Sequence, residues 1–325
     1  MLRFFTKRRE TRLSTPVLPA AISDLGFVAF VWGDERDPMG WARPECAEAM
    51  LAAGILRPPT GPFEPYRMET RPVDDVPTGL RLQDLALHWH RTGLLPAWRN
   101  ETFDIYSPGH PHPRFALERV AARHLGLWTE AVHLNVVRRD GSAMWLARRA
   151  AHKDTDAGML DNLVAGGVAQ GESPWQTLGR ESWEEAGIRF GGCEESGHAD
   201  GGPGAPIGPR GILERNRSPH DVSGKRSMVR PGFQPRALRV VQILALEGTP
   251  RQRYLRRERL YAFELEVDEA FSPVNNDGEV SEHLLVNRKE LDAAIAQGLL
   301  TKDAACVAAL WRAKEHGDLQ MMSGT

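Results

Sequence analysis

The chain has 325 residues, 41% hydrophobic and 26% charged, the composition of an ordinary soluble globular protein long enough to bury two cores. A formal net charge of −2 sets up no field for nucleic acid or an anionic membrane, and no apolar run approaches the ~18 residues of a membrane span. Cys46, Cys193 and Cys306 are far apart, fit no zinc spacing and point to a reducing compartment.

The opening MLRFFTKRRETRLS is basic and slightly amphipathic, but Glu10 and its shortness argue against a transit peptide. Residues 1–20 are therefore read as a frayed, solvated leader, and without a secretory apolar core the expected location is the cytoplasm. Residues 21–130 are expected to form an N-terminal domain with helices around Glu45–Ala53, Leu82–Thr92 and Phe115–Leu125. Proline-rich connections at Arg57–Pro65 and Ser107–Pro113 divide them, and no catalytic signature stands out there.

From Ala131 the pattern turns to strands. Ala131–Val137 and Ala143–Arg149 flank the hairpin turn Arg139-Asp140-Gly141, and Leu163–Ala165 is a short strand leading into a helix. Residues 191–235, rich in Gly, Pro, Arg and Ser, read as a flexible insertion. Strands return at Leu238–Leu246, Leu260–Val267 and around His283–Val286, with Tyr254–Arg259 read as a solvated turn before the second. Helices at Arg288–Gln297 and Lys302–Glu315 close the chain. Strands on either side of a helix, followed by terminal helices, imply a mixed sheet packed between helices, α/β or α+β by pattern.

The chemistry concentrates between Gly166 and Ile188, in GGVAQGESPWQTLGRESWEEAGI. Ser173-Pro174-Trp175-Gln176 is a capping box with proline at the first helical position, and Gly187 suits the left-handed residue that ends a helix. On that helix Glu181, Glu184 and Glu185 stand at i, i+3 and i+4, so their carboxylates share one face. Three such carboxylates repel and raise one another's pKa, which a hard divalent cation such as Mg2+ relieves. Arg180 is placed to orient a carboxylate bidentately, and Gly166-Gly167 let backbone approach a metal or phosphate closely. The competing reading is a solvated acidic helix face; the fixed spacing to Gly166, Glu172 and Arg180 favours the metal site.

These residues fit the Nudix box, G-x5-E-x7-R-E-U-x-E-E-x-G-U with U apolar, at Gly166, Glu172, Arg180, Glu181, Glu184, Glu185, Gly187 and Ile188. Ser182 alone departs, as a small residue in an apolar position at a packing loss of about 1 kcal/mol. From Ala131 to Gly317 the chain resembles a Nudix hydrolase domain. Trp145–Arg149, Lys153 and Gly158–Gly167 resemble the thiamine-pyrophosphokinase-associated subgroup, as do Trp98-Arg99-Asn100-Glu101, Pro273 and Asn276–Val280. Val136 stands where that subgroup tends to have glycine, and the 191–235 insertion is unusually long. Its Arg210, Arg215, Arg217, Lys225 and Arg226 make a phosphate-facing lid the alternative to a disordered segment.

The resemblance implies a Nudix α/β/α sandwich with a mixed sheet over residues 131–320, preceded by a smaller α+β N-terminal domain of uncharacterised role. It implies that Glu181, Glu184, Glu185 and the Gly166 carbonyl bind Mg2+ (or Mn2+), that Arg180 orients the carboxylates, and that Glu172 and Gly187 support the motif. The general base is open between Glu181, Glu185 and Glu279, with Glu282 behind them. Arg148, Arg149 and Lys153 are candidate phosphate ligands, against a solvated strand end. His133, Asn135, Trp98 and Trp145 are read as structural before they are read as substrate contacts.

The implied activity is hydrolysis of a small X-linked diphosphate with release of phosphate, the head group being thiamine diphosphate or its oxo and oxy analogues. The alternatives are an oxidised nucleoside diphosphate such as 8-oxo-dGDP, a non-catalytic Nudix-fold binding module, and a thiamine-pyrophosphokinase-type transferase. The expected partner is the small-molecule diphosphate, with no membrane and no stable nucleic-acid partner; the oligomeric state is open.

Overall fold

The computed structural model describes residues 25–61, 64–95, 97–153, 155–190, 234–248 and 253–313. The leader, Cys193 and the insertion as far as residue 233, with its five basic residues, lie outside the described residues.

The chain begins with β1 (Val28–Trp32), β2 (Gly40–Ala42), α1 (Pro44–Ala52), β3 (Leu56–Arg57), β4 (Tyr66–Met68), α2 (Thr78–Arg91), β5 (Thr102–Ile105), β6 (Phe115–Glu118) and α3 (Arg119–His124). A four-stranded sheet in the order β2-β1-β4-β3 and the β5-β6 hairpin enclose a core that includes Phe30, Met50, Met68, Leu82, Phe103 and Leu117. The expected helix over Phe115–Leu125 is corrected: Phe115–Glu118 pairs antiparallel with Thr102–Ile105, and only Arg119–His124 is helical. The side chains of Phe115 and Leu117 stand on the strand period of two, a signal that the apolar residues of α3 extend and disguise.

The second half holds β7 (Trp128–Arg138), β8 (Ala143–Arg149), β9 (Leu160–Asn162), β10 (Val164–Gly167), α4 (Pro174–Ala186), β11 (Arg236–Glu247), β12 (Tyr254–Val267), β13 (Val280–Asn287), α5 (Arg288–Ala296) and α6 (Lys302–Ala313). The expected strand at Leu163–Ala165 is β10, which starts at Val164 and runs on to Gly167, and β9 stands before it as a further strand. One mixed sheet runs β11-β12-β7-β8-β13, with β10 added on β7 and β9 on β8; β12 is parallel to β7 and the other pairs are antiparallel. Side chains of β7 alternate between its faces. Val132, Leu134 and Val136 pack with Leu178 of α4, while Ala131 packs with Val307 and Val137 with Ala304 of α6. The result is an α/β/α sandwich around a mixed sheet, as the sequence leads one to expect, with α4 on one face and α5 and α6 on the other.

Tyr254–Arg259 is not a solvated turn but the first half of β12, and Arg256, Arg257 and Glu258 within it are buried. Each charge is admitted because it meets a distant partner. Arg256 pairs with Asp303 (2.6 Å), Glu247 (2.9 Å) and Glu258, and Glu258 also accepts from Arg123 (3.1 Å) and Thr129 (3.2 Å). Arg257 donates to the Met39 (3.0 Å) and Gly126 (3.1 Å) carbonyls and lies over the Trp128 ring. These contacts join the first half of the chain to the mixed sheet.

Removing one partner from such a buried ionic cluster leaves the others uncompensated. Glu258→Gln is therefore expected to lower the unfolding free energy by about 3 kcal/mol or more; a urea titration showing a loss below about 1 kcal/mol would contradict this account of the junction.

Candidate functional site

The helix α4 is built as its sequence dictates. The Ser173 hydroxyl accepts from the Gln176 amide (3.3 Å), the Gln176 side chain accepts from the Ser173 amide (2.9 Å), and Gly187 ends the helix at φ 67°. Its remaining C-terminal carbonyls are capped from outside. Val274 N donates to Ala186 O (3.0 Å), Asn276 N to Glu184 O (2.7 Å), and Asn276 Nδ2 to Trp183 O (2.7 Å). This strap carries the following residues, including Glu279, to the glutamate face.

On that face Arg180 holds three carboxylates rather than one. Its Nε and Nη2 donate to Glu172 (2.9 and 3.0 Å), and its Nη1 donates to both Glu181 (2.8 Å) and Glu184 (3.0 Å). Burial pushes the Glu172 carboxyl up, but the hydrogen bonds from Arg180 and Thr177 outweigh it and leave it below the usual range.

Glu181 and Glu185 are buried side by side. A Cβ on Gly166 would fall 2.1 Å from the Glu181 carboxylate, so glycine there makes room for the acid. One Glu185 oxygen accepts from the Ala165 amide (2.8 Å), which fixes that carboxyl against β10. Burial, only partly offset by Arg180, pushes Glu181 up to about 7; burial and the Glu181 charge push Glu185 well above the usual range.

Among the described residues no three acidic, imidazole or thiolate groups converge ready-made on one point, and Arg180 Nη1 bridges Glu181 and Glu184. The donor set nevertheless suits a hard divalent ion: carboxylate oxygens, two of them on neighbouring acids whose charged forms burial disfavours, beside a backbone kept bare by Gly166.

Glu279 lies at the same cluster, where its charge acts on Glu181. It forms an ion pair with Lys153. Burial alone would raise the Glu279 carboxyl, but the Lys153 hydrogen bond and charge, with Arg149 and Arg99, hold it below the usual range. Glu282 is placed elsewhere, exposed and paired with Arg148 at 2.8 Å. Arg148 also donates to the Gly158 carbonyl, and Arg149 donates to Asp161 (3.0 Å) and the Thr155 carbonyl. Of the three basic candidates, Lys153 is the one in direct contact with a carboxylate of the cluster.

His133 Nδ1 meets Asn162 Oδ1 at 2.8 Å, and the Asn135 amide donates to the Val307 carbonyl of α6, so both are satisfied inside the protein. Trp145 packs edge-on to Phe271, and Trp98 stacks on His90 while donating to Asn100 (2.8 Å).

One contact set has no sequence signal. The strand β5 lies on the loop between Gly166 and Glu172: Thr102 Oγ1 donates to Gln170 (2.8 Å), Gln170 N donates to Thr102 O (2.8 Å), and Gly171 N donates to Asp104 (2.8 Å). A Cβ on Gly167 would meet the Phe103 ring at 2.6 Å. These residues are polar or core types about 70 positions from their partners, and no spacing rule links them. A cavity of about 550 Å3 adjoins this contact, lined by Trp32, Thr102, Phe115 and Gln170 among others, but none of the glutamates lines it.

Because the folded Glu181 carboxyl titrates near 7 rather than 4.5, the metal-free fold loses stability as pH rises across that interval. A bound cation must displace the proton. Mg2+ is therefore expected to raise the Tm more at about pH 8 than at about pH 5.5, and an equal rise at both would contradict the buried-acid reading. Ser182 is fully buried and its hydroxyl has no partner among the described residues. Ser182→Ala is expected to stabilise the fold by about 1 kcal/mol in denaturant titration, where a loss of stability would show the hydroxyl to be satisfied.

Residues 129–213 match the family model described as the NUDIX domain. The chain is 31% identical over 196 residues to Nudix hydrolase 20, chloroplastic, of Arabidopsis thaliana, a match covering 60% of this chain and 41% of that protein. It is 28% identical over 228 residues to Nudix hydrolase 24, chloroplastic, of the same plant, covering 69% and 50%. The chain thus spans half or less of the length of these relatives. The crystal structure of DR0079 from Deinococcus radiodurans is 18% identical, with 57% of this chain and 82% of that one covered and a TM-score of 0.35. The stretch that resembles the NUDIX domain takes in β7 from Thr129, β8 to β10 and the whole of α4 with its glutamates.

Proposed function

We propose that the chain hydrolyses a small X-linked diphosphate with the help of a divalent metal ion, releasing phosphate and the X-monophosphate. The observation that carries this reading is the pair of buried acids, Glu181 and Glu185, set against a glycine and raised in pKa. Glu181, Glu184, Glu185 and the Gly166 carbonyl would hold the ion. When bound, Mg2+ or Mn2+ supplies charge neutralisation of the diphosphate and Lewis-acid activation of the phosphorus. Arg180 keeps Glu181 and Glu184 oriented.

Water attacks the terminal phosphorus, its new P–O bond forming as the bridging P–O bond breaks. Glu279 is the residue to accept the water's proton, because Lys153 holds its carboxyl ionised beside the cluster. As phosphate arrives, Lys153 is positioned to exchange part of this ion pair for a phosphate oxygen. The retention of every glutamate of the box supports an enzyme over a binding module. For the head group, the likeness of Trp145–Gly167 to thiamine-pyrophosphokinase-associated proteins supports thiamine diphosphate or its oxidised analogues.

Glu184→Gln combined with Glu185→Gln is expected to abolish Mg2+-dependent phosphate release, and Glu279→Gln to lower kcat by about 10²–10⁴-fold. The assay compares thiamine diphosphate, its oxo and oxy analogues, 8-oxo-dGDP, ADP-ribose and NADH. Unchanged turnover in the double variant would sink the hydrolase reading, and release from 8-oxo-dGDP alone would overturn the head-group assignment.

A further inference from the structure

Trp98-Arg99-Asn100-Glu101 enters the chemistry above only through the charge of Arg99 at Glu279, yet the fold secures it as firmly as a site. The Glu118 carboxylate is buried and accepts from the amides of both Arg99 (2.9 Å) and Glu101 (3.2 Å). The Trp98 indole, stacked on His90, donates to Asn100 Oδ1 (2.8 Å), and Asn100 adopts the left-handed φ of 54°. Arg119 pairs with Glu101 and donates its amide to the Glu101 carbonyl (3.0 Å). A turn this constrained presents one long exposed cation, Arg99.

The turn is also fixed relative to the glutamates. Immediately after it, Thr102 and Asp104 hydrogen-bond the box loop at Gln170 and Gly171, and Phe103 packs on Gly167. Arg99 therefore sits on the turn that leads into the strand seated on the box loop, and its charge is felt at Glu279 together with those of Lys153 and Arg149. A diphosphate carries more negative charge than one lysine offsets, and a guanidinium on a rigid turn suits its planar pairs of oxygens.

We propose that Arg99, supplied by the N-terminal half of the chain, binds the substrate diphosphate in the Nudix site. The first half of the chain then completes the site instead of merely accompanying it. This rests on the diphosphate-hydrolase reading, and the experiment separates the two.

Binding of methylenediphosphonate, whose bridging carbon resists hydrolysis, is measured by calorimetry on the full chain in Mg2+. Arg99→Ala is expected to weaken binding about 10-fold or more, with Arg99→Lys intermediate and both variants still unfolding in one cooperative transition. The loss is expected to persist in an Glu279→Gln background. If Arg99→Ala binds like the parent while the Glu184→Gln, Glu185→Gln variant loses binding, the role of Arg99 is refuted and the hydrolase reading stands. A loss that disappears in the Glu279→Gln background refutes it as well, because Arg99 would act only through Glu279. If the parent chain itself binds no diphosphonate, both readings fall.

Discussion

Two carboxylic acids, Glu181 and Glu185, are buried next to each other against a strand with no side chain at Gly166. The site depends on that arrangement. Burial disfavours the ionisation of both of two acids so placed unless a cation stands by. Arg180 answers part of the need, but its guanidinium is already divided among Glu172, Glu181 and Glu184, and among the described residues Glu185 accepts its hydrogen bond from the Ala165 amide. The unmet charge is what a divalent ion and a phosphate chain would meet together.

The surrounding scaffold holds this pair in place from both ends of the chain. Residues 274–276 cap the carbonyls at the end of α4 with two backbone amides and the Asn276 side chain, which delivers Glu279 to the cluster. From the other side β5 hydrogen-bonds the loop that leads into the helix, so the loop conformation depends on residues far upstream. The buried charges of β12 make that dependence durable, since Arg123, Arg256, Arg257 and Glu258 tie the early elements to the sheet through contacts costly to break.

Local signals were legible in the sequence and long-range ones were not. The caps of α4, the i, i+3, i+4 glutamates and the strand Ala143–Arg149 follow from chemistry within a few residues, and the structure has them where the pattern puts them. Tyr254–Arg259 misled because a run of charges reads as solvated, whereas here each buried charge meets a partner in another part of the chain, such as Asp303 or Arg123. The strands β1 to β4 are two to five residues long, too short for an alternating pattern to register. Phe115–Leu125 joined a strand to a helix without a breaker between them. At the site, the placing of Glu279 on the cluster and of Glu282 away from it follows from the strap on α4 and the pairing of β13 with β8, neither of which spacing encodes.

The central claim is that the buried acids of α4 form a divalent-cation site, and direct titration of the ion tests it most closely. Electron paramagnetic resonance of Mn2+ counts free against bound ion without requiring a substrate. At neutral pH the account predicts saturable Mn2+ binding that is lost when Glu185 is replaced by Gln and retained when the exposed Glu282 is replaced by Gln. Binding of equal affinity in the Glu185→Gln variant would contradict it.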